Sequence, residues 1–114
     1  MLCLNRTAIV VKAKQPFLDW LRSVDPTSDE LTLEEVNAEP TVYLLPECGS
    51  SAEAAGLVRR FAREIFAHEL DGWWRDPLDW PKTLTFPVFE KWFGWRDHSV
   101  VLDLVKDELI REEF

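Results

Sequence analysis

Between Trp73 and Trp95 the chain carries five of its six tryptophans, together with Phe86, Phe89 and Phe93. A tryptophan buries a large apolar surface and keeps one N–H that needs an acceptor, so such a cluster either anchors a small core or forms a contact surface. The second half of the cluster narrows the choice. Thr85 can cap a helix over 86–93, on which Phe86, Phe89 and Phe93 line one side and Val88 and Trp92 add a second stripe, leaving mainly Glu90 and Lys91 polar. A helix apolar over more than half its circumference must be covered from two sides or must face a partner.

The rest of the chain supplies candidates for that cover. Thr7 to Lys14 alternates as a strand, with Thr7, Ile9, Val11 and Ala13 on one face and Arg6, Lys12 and Lys14 marking the other. Pro16 opens a helix whose stripe is Phe17, Trp20, Leu21 and Val24. Thr32-x-x-Glu35 has the spacing of a capping box and predicts a short helix over 33–37. Thr41 to Leu45 reads as a second strand, apolar on both sides and so expected to be covered on both. Ser50-x-x-Glu53 opens the longest helix, with Ala54, Leu57, Val58, Phe61, Ala62 and Ile65 on its apolar side and Gly72 at its end. Pro77 and Pro81 make 73–84 a loop, and a last strand is expected over 97–105, followed by a turn of helix in 107–114. The order β-α-(α)-β-α-α-β predicts an α+β fold, a single domain over 1–114 with a sheet of about three strands and helices mainly on one face. The basic face of the first strand and the acidic face of the last would complement each other as neighbours.

Charge is unevenly spread along this chain of net charge −8. Residues 1–18 hold Arg6, Lys12 and Lys14 and no acid, whereas 19–47 hold eight acids against Arg22, and 97–114 hold six against Lys106 and Arg111. An acidic surface argues against nucleic acid and anionic membranes, which need concentrated Lys and Arg; it suits plain solubility first, and leaves room for a basic protein partner or a mimic of DNA. No apolar run reaches the roughly 18 residues of a membrane span. The N-terminus has no basic stretch followed by a long apolar one, as a signal peptide would require. Cys3 and Cys48 are isolated, with neither CxxC spacing nor a disulfide framework. These features predict a cytoplasmic protein, monomeric or weakly dimeric, without cofactor or metal.

No motif dictates a reaction. Cys48 lies between a strand and a helix N-terminus, where amide groups favour a thiolate, but a phosphatase loop would need Arg where Ala54 stands. His68-Glu69-Leu70-Asp71-Gly72 begins like a zincin helix and lacks its second histidine. Asp97-His98-Ser99 holds the residue types of a hydrolase triad, yet neighbours on a strand point to opposite faces. Asp71, Asp76 and Asp79 among tryptophans resemble a sugar platform, but a domain this small rarely carries a full glycosidase cleft, and Asp76 and Asp79 are better read as turn formers beside Pro77 and Pro81. Trp74 and Trp95 have WW-domain spacing, but His98 occupies the position of that domain's proline. Gly49-Ser50-Ser51 has no following lysine to make a phosphate loop.

The segments TAIVVKAKQPFLDWLRSVDPTSDELTLEE, EPTVYLLPE, HELDGWWRD and WPKTLTFPVFEKWF resemble a family of small acidic bacterial proteins of unknown function, over nearly the whole chain from about Asn5. The resemblance implies a stand-alone bacterial cytosolic protein rather than an enzyme fragment, and assigns no activity to any position. Trp and Arg dominate binding hot spots, so the expected function is a non-catalytic protein-interaction module contacting its partner through 73–95, with Trp73, Trp74, Arg75, Trp80, Val88, Trp92 and Trp95 as the contact residues. The alternative is a small hydrolase-like or thiol-dependent enzyme with its site at Cys48 or at His68, Asp71 and Asp76.

Overall fold

In the computed structural model, which describes all 114 residues, the alternating segment becomes the central strand of a three-stranded antiparallel sheet. In chain order the elements are β1 (Leu2–Cys3), β2 (Arg6–Ala13), α1 (Gln15–Val24), α2 (Leu33–Val36), β3 (Val42–Pro46), α3 (Ser51–Asp71), α4 (Phe86–Trp92), β4 (Phe93–His98) and β5 (Leu102–Asp103), with 3-10 turns at Pro26–Ser28 and Pro77–Asp79. The fold is α+β. The main sheet has the order β3-β2-β4, and β1 pairs with β5 in a separate two-stranded ladder.

Register decides what each face carries, because residues paired across strands share a side. Thr7 lies opposite Leu45, Ile9 opposite Tyr43 and Asp97, Val11 opposite Trp95, and Ala13 opposite Phe93. This side is covered by the helices. Ile9, Val11, Leu45 and Phe93 join Phe17, Leu18 and Leu21 of α1, Val36 of α2, Val58 to Leu70 of α3 and Phe89 of α4 in one buried cluster. The opposite side presents Ala8, Val10 and Lys12 beside Val42 and Leu44 on one flank and Gly94, Arg96 and His98 on the other.

The caps work largely as spacing predicts. Thr32 and Glu35 close both halves of the capping box of α2. Ser50 Oγ accepts from the Glu53 N–H at 3.2 Å, while the Glu53 carboxylate reaches back to the Gly49 N–H rather than to Ser50. Thr85 starts α4 without a side-chain cap, leaving the Phe89 N–H to its carbonyl. At the end of β2 the Asn37 amide takes the place of a strand partner: Oδ1 accepts from the Ala13 N–H and Nδ2 donates to the Ala13 carbonyl, at 2.8 and 3.0 Å.

Four expectations need correction. The last strand of the sheet is 93–98 and not 97–105, because Phe93 ends α4 and passes directly into extended backbone; Leu102–Asp103 instead pairs with β1. The second strand is covered on one side only, leaving Val42 and Leu44 at 56% and 50% exposure. β2 and β4 are neighbours, but their charges do not complement each other. Asp97 faces the helices, where Ser51 Oγ donates to its Oδ2 at 3.3 Å, and Lys12 shares the open side with Arg96 and His98. A carboxylate at the N-terminus of α3 is favoured by the helix dipole, which accounts for Asp97 on the inner side. Finally, residues 104–114 form no helix.

Candidate functional site

The helix α4 obtains its double cover from within the chain. The Trp92 ring packs against Trp20 and Phe17 of α1 at centroid distances of 5.9 and 6.5 Å, and against Phe66 of α3 at 5.5 Å. Phe89 is fully buried beside Phe66 and Phe93, and Val88 packs against the same cluster. Trp95, on the inner side of β4, and Trp80 are half-buried against the core.

The connection from α3 to α4 is held by indole hydrogen bonds. Trp74 Nε1 donates to Asp79 Oδ2 at 2.9 Å, Trp80 Nε1 to the Trp74 carbonyl at 2.7 Å, and Trp20 Nε1 to the Asp79 carbonyl at 2.8 Å. Asp76 caps the Pro77–Asp79 turn by accepting from the Leu78 N–H. Of the seven residues expected to meet a partner, Trp74, Trp80, Val88, Trp92 and Trp95 are thus half-buried, and Trp73 and Arg75 are exposed. Trp73, at 41% exposure, is the most exposed of the six tryptophans.

Beside Trp73 lies the most distinctive polar group of the fold. Tyr43, on the inner side of β3, meets the last turn of α3, where its hydroxyl donates to Glu69 Oε2 and lies 2.8 Å from His68 Nδ1. A hydroxyl has one proton to give. With Glu69 ionised, that proton goes to the carboxylate and His68 donates from Nδ1; with Glu69 protonated, the chain can run the other way, towards His68. Burial raises the Glu69 carboxyl above its ordinary value, opposed by the Tyr43 hydrogen bond and the nearby His68. Burial, then Glu69, pushes the Tyr43 hydroxyl up as well. A cavity of about 90 Å³ adjoins these groups, lined also by Asn37, Thr41, Trp73 and Phe93. A wider surface recess follows, with Glu39, Asp71, Trp73 and Arg75 around His68.

The structure therefore brings His68 and Asp71 to one recess and places Asp76 outside its lining. No motif in the sequence marks Tyr43, and Glu69 stands only in the incomplete zincin-like stretch. A lone tyrosine within an apolar strand, needing a partner for its hydroxyl, was the signal available. Cys48 is half-buried, with its Sγ 3.2 Å from Thr7 Oγ1, which also accepts from the Cys48 N–H. The amides at Cys48, Gly49 and Glu53 already have acceptors in Thr7, Glu53 and Ser50, which weakens the reason for a thiolate there. No three His, Cys, Asp or Glu side chains converge to hold a metal ion, and no helix is long and apolar enough to cross a membrane. No family model matches the chain, and no curated protein or solved structure matches it.

Proposed function

We propose that the protein is a non-catalytic cytoplasmic interaction module that binds a partner protein at the exposed end of the α3–α4 connection. The observation that carries this reading is the exposure of Trp73, which lines a recess together with Arg75, Glu39 and Asp71. An indole face flanked by carboxylates suits a lysine or arginine side chain of the partner, held by cation–π attraction and charge. Trp74 and Trp80 serve this surface indirectly, by fixing the loop that presents Trp73. The test is binding of Lys- and Arg-bearing peptides, followed by tryptophan fluorescence, to the wild type and to Trp73→Ala. Saturable binding lost in the variant supports the reading; equal binding by both proteins overturns it.

A second reading is favoured by one specific observation, the hydrogen-bonded Tyr43–His68–Glu69 group beside a cavity. A carboxyl with a raised pKa linked to an imidazole has the makings of a general acid–base pair. On this reading the protein is a small hydrolase-like enzyme, and Glu69→Gln abolishes turnover in a hydrolase substrate screen while the fold persists. A screen in which the wild type turns over nothing sinks it.

A further inference from the structure

We propose that the open side of the main sheet receives the segment Leu104–Phe114 of a second copy of this chain, so that two copies exchange their C-terminal segments. Val10, Val42 and Leu44 give that side an apolar strip, and Lys12, Arg96 and His98 stand along it. The outward positions of the paired strands carry no carboxylate, in a chain whose net charge is −8. No helix covers this strip, and half of Val42 and Leu44 is in contact with water.

The segment that fits it has the opposite character. Residues 104–114 form neither helix nor strand, and Leu104, Val105, Leu109, Ile110 and Phe114 are all exposed. Asp107, Glu108, Glu112 and Glu113 outnumber Lys106 and Arg111 there. Apolar side chains interleaved with acids match an apolar strip lined by bases, and the pairing both buries surface and offsets charge.

Three considerations select the second copy's segment. Two open sides laid centre to centre would set Lys12 and Arg96 of one against Lys12 and Arg96 of the other, which disfavours that arrangement. The chain's own segment leads away from the strip: the Phe114 ring lies against His68, at the end of the helix α3 on the covered side of the sheet, with a centroid distance of 5.0 Å, and stays fully exposed there, so little holds it from a second copy. An exchange is also self-complementary under a two-fold axis, the commonest symmetry of soluble dimers, and burying two segments at once moves the contact toward the roughly 1,200–2,000 Å² of a specific interface. The strip itself does not include Trp73, although Phe114, which the exchange moves, lines the recess beside that ring.

The experiment is sedimentation of full-length protein at about 100 μM in low and high salt, since exposed charge pairs are screened once the Debye length falls to about 3 Å near 1 M salt. The wild type is expected to sediment as a dimer at low salt and to dissociate at least about tenfold more readily at high salt. The variants Lys12→Glu/Arg96→Glu and Glu108→Lys/Glu112→Lys are each expected to be monomeric, with unchanged far-UV circular dichroism. Mixing the two is expected to restore a dimer, because the reversed side of one then meets the reversed segment of the other. Leu44→Asp, at an exposed position, is expected to weaken the dimer without altering the spectrum. A monomeric wild type overturns the proposal. So does a dimer indifferent to the segment's charges, which would use another face. Failure of the two variants to pair on mixing shows that the segment's charges are not matched across copies, and overturns it too.

Discussion

The Trp80 indole N–H donates to the Trp74 carbonyl at 2.7 Å, while the Trp74 indole N–H donates to the carboxylate of Asp79, the residue before Trp80. Each tryptophan supplies what holds the other's neighbourhood. The Asp79 carbonyl then accepts from Trp20, which fastens the loop to α1. In a connection without regular structure, these indole donors replace the ladder that a helix or strand would have provided, and their rings fill the gap above the core.

Two tryptophans in this connection should therefore respond oppositely to truncation. Trp80→Ala removes a half-buried ring and an anchoring hydrogen bond, and is expected to cost about 2–3 kcal/mol. Trp73→Ala, which removes a ring that is 41% exposed and otherwise lines the cavity beside Phe93, is expected to cost about 1 kcal/mol or less. Urea unfolding followed by circular dichroism separates them, and equal losses would mean that Trp73 supports the fold.

The Glu69 carboxyl makes stability depend on pH. Its value in the unfolded chain lies near the ordinary 4.5 and is raised by burial in the folded protein. Between the two, the folded form keeps a proton that the unfolded form has lost, so stability falls as pH rises from the ordinary glutamate range through the folded value. In Glu69→Gln this fall disappears while an acceptor for Tyr43 remains; in Tyr43→Phe, which removes a hydrogen bond favouring the ionised carboxylate, the fall extends to higher pH. Thermal melts across mildly acidic to neutral pH read both, and an unchanged profile in Glu69→Gln would refute the assignment.

Thr7 is fully buried, and its hydroxyl serves both the N–H and the thiol of Cys48. Thr7→Val keeps the shape and strands the amide, a loss of about 1–3 kcal/mol. In the wild type, Cys3, which is exposed, is expected to alkylate well before Cys48. Mass spectrometry after a short pulse of iodoacetamide reads the order, and prior labelling of Cys48 would revive the thiol-dependent reading.

Asn37 closes the end of the central strand with two hydrogen bonds to Ala13. Asn37→Ala is expected to cost about 2 kcal/mol, since both backbone groups lose a partner in a half-buried setting. Amide exchange at Ala13 should accelerate at the same time, and an unaltered rate there would show that water replaces the side chain without loss.

Sequence patterning revealed most elements, since the apolar stripes of α1 and α3, the alternation of β2 and the Thr32 capping box are local properties. What it concealed depended on register. The expected helix over 86–93 and strand over 97–105 leave Gly94, Trp95 and Arg96 between them, yet these residues lie within β4, Gly94 opposite Lys12. Val42 and Leu44 look like core because they are apolar, although a strand at the edge of a sheet without a second layer buries only one of its sides. The cover over Trp92 was equally hidden, since it comes from Phe17, Trp20 and Phe66, far away along the chain. Likewise the meeting of Tyr43 with Glu69 requires β3 to lie beside the end of α3, which no local pattern encodes.

The sheet order β3-β2-β4 gives this small domain a particular folding history. Its middle strand precedes both of its neighbours along the chain, yet Ile9 must find Tyr43 and Ala8 must find His98. Neither pairing is a hairpin, so the contact order is high and loop closure has to precede most of the reward from pairing. On the ribosome β2 can gain β3 early, but its other edge stays open until β4 has left the exit tunnel. The helices α1 and α3 can form meanwhile, and the nascent chain then presents an unfinished sheet to chaperones and to other nascent chains. A pause at any point before β4 has cleared the tunnel would accordingly leave this protein exposed to misassembly.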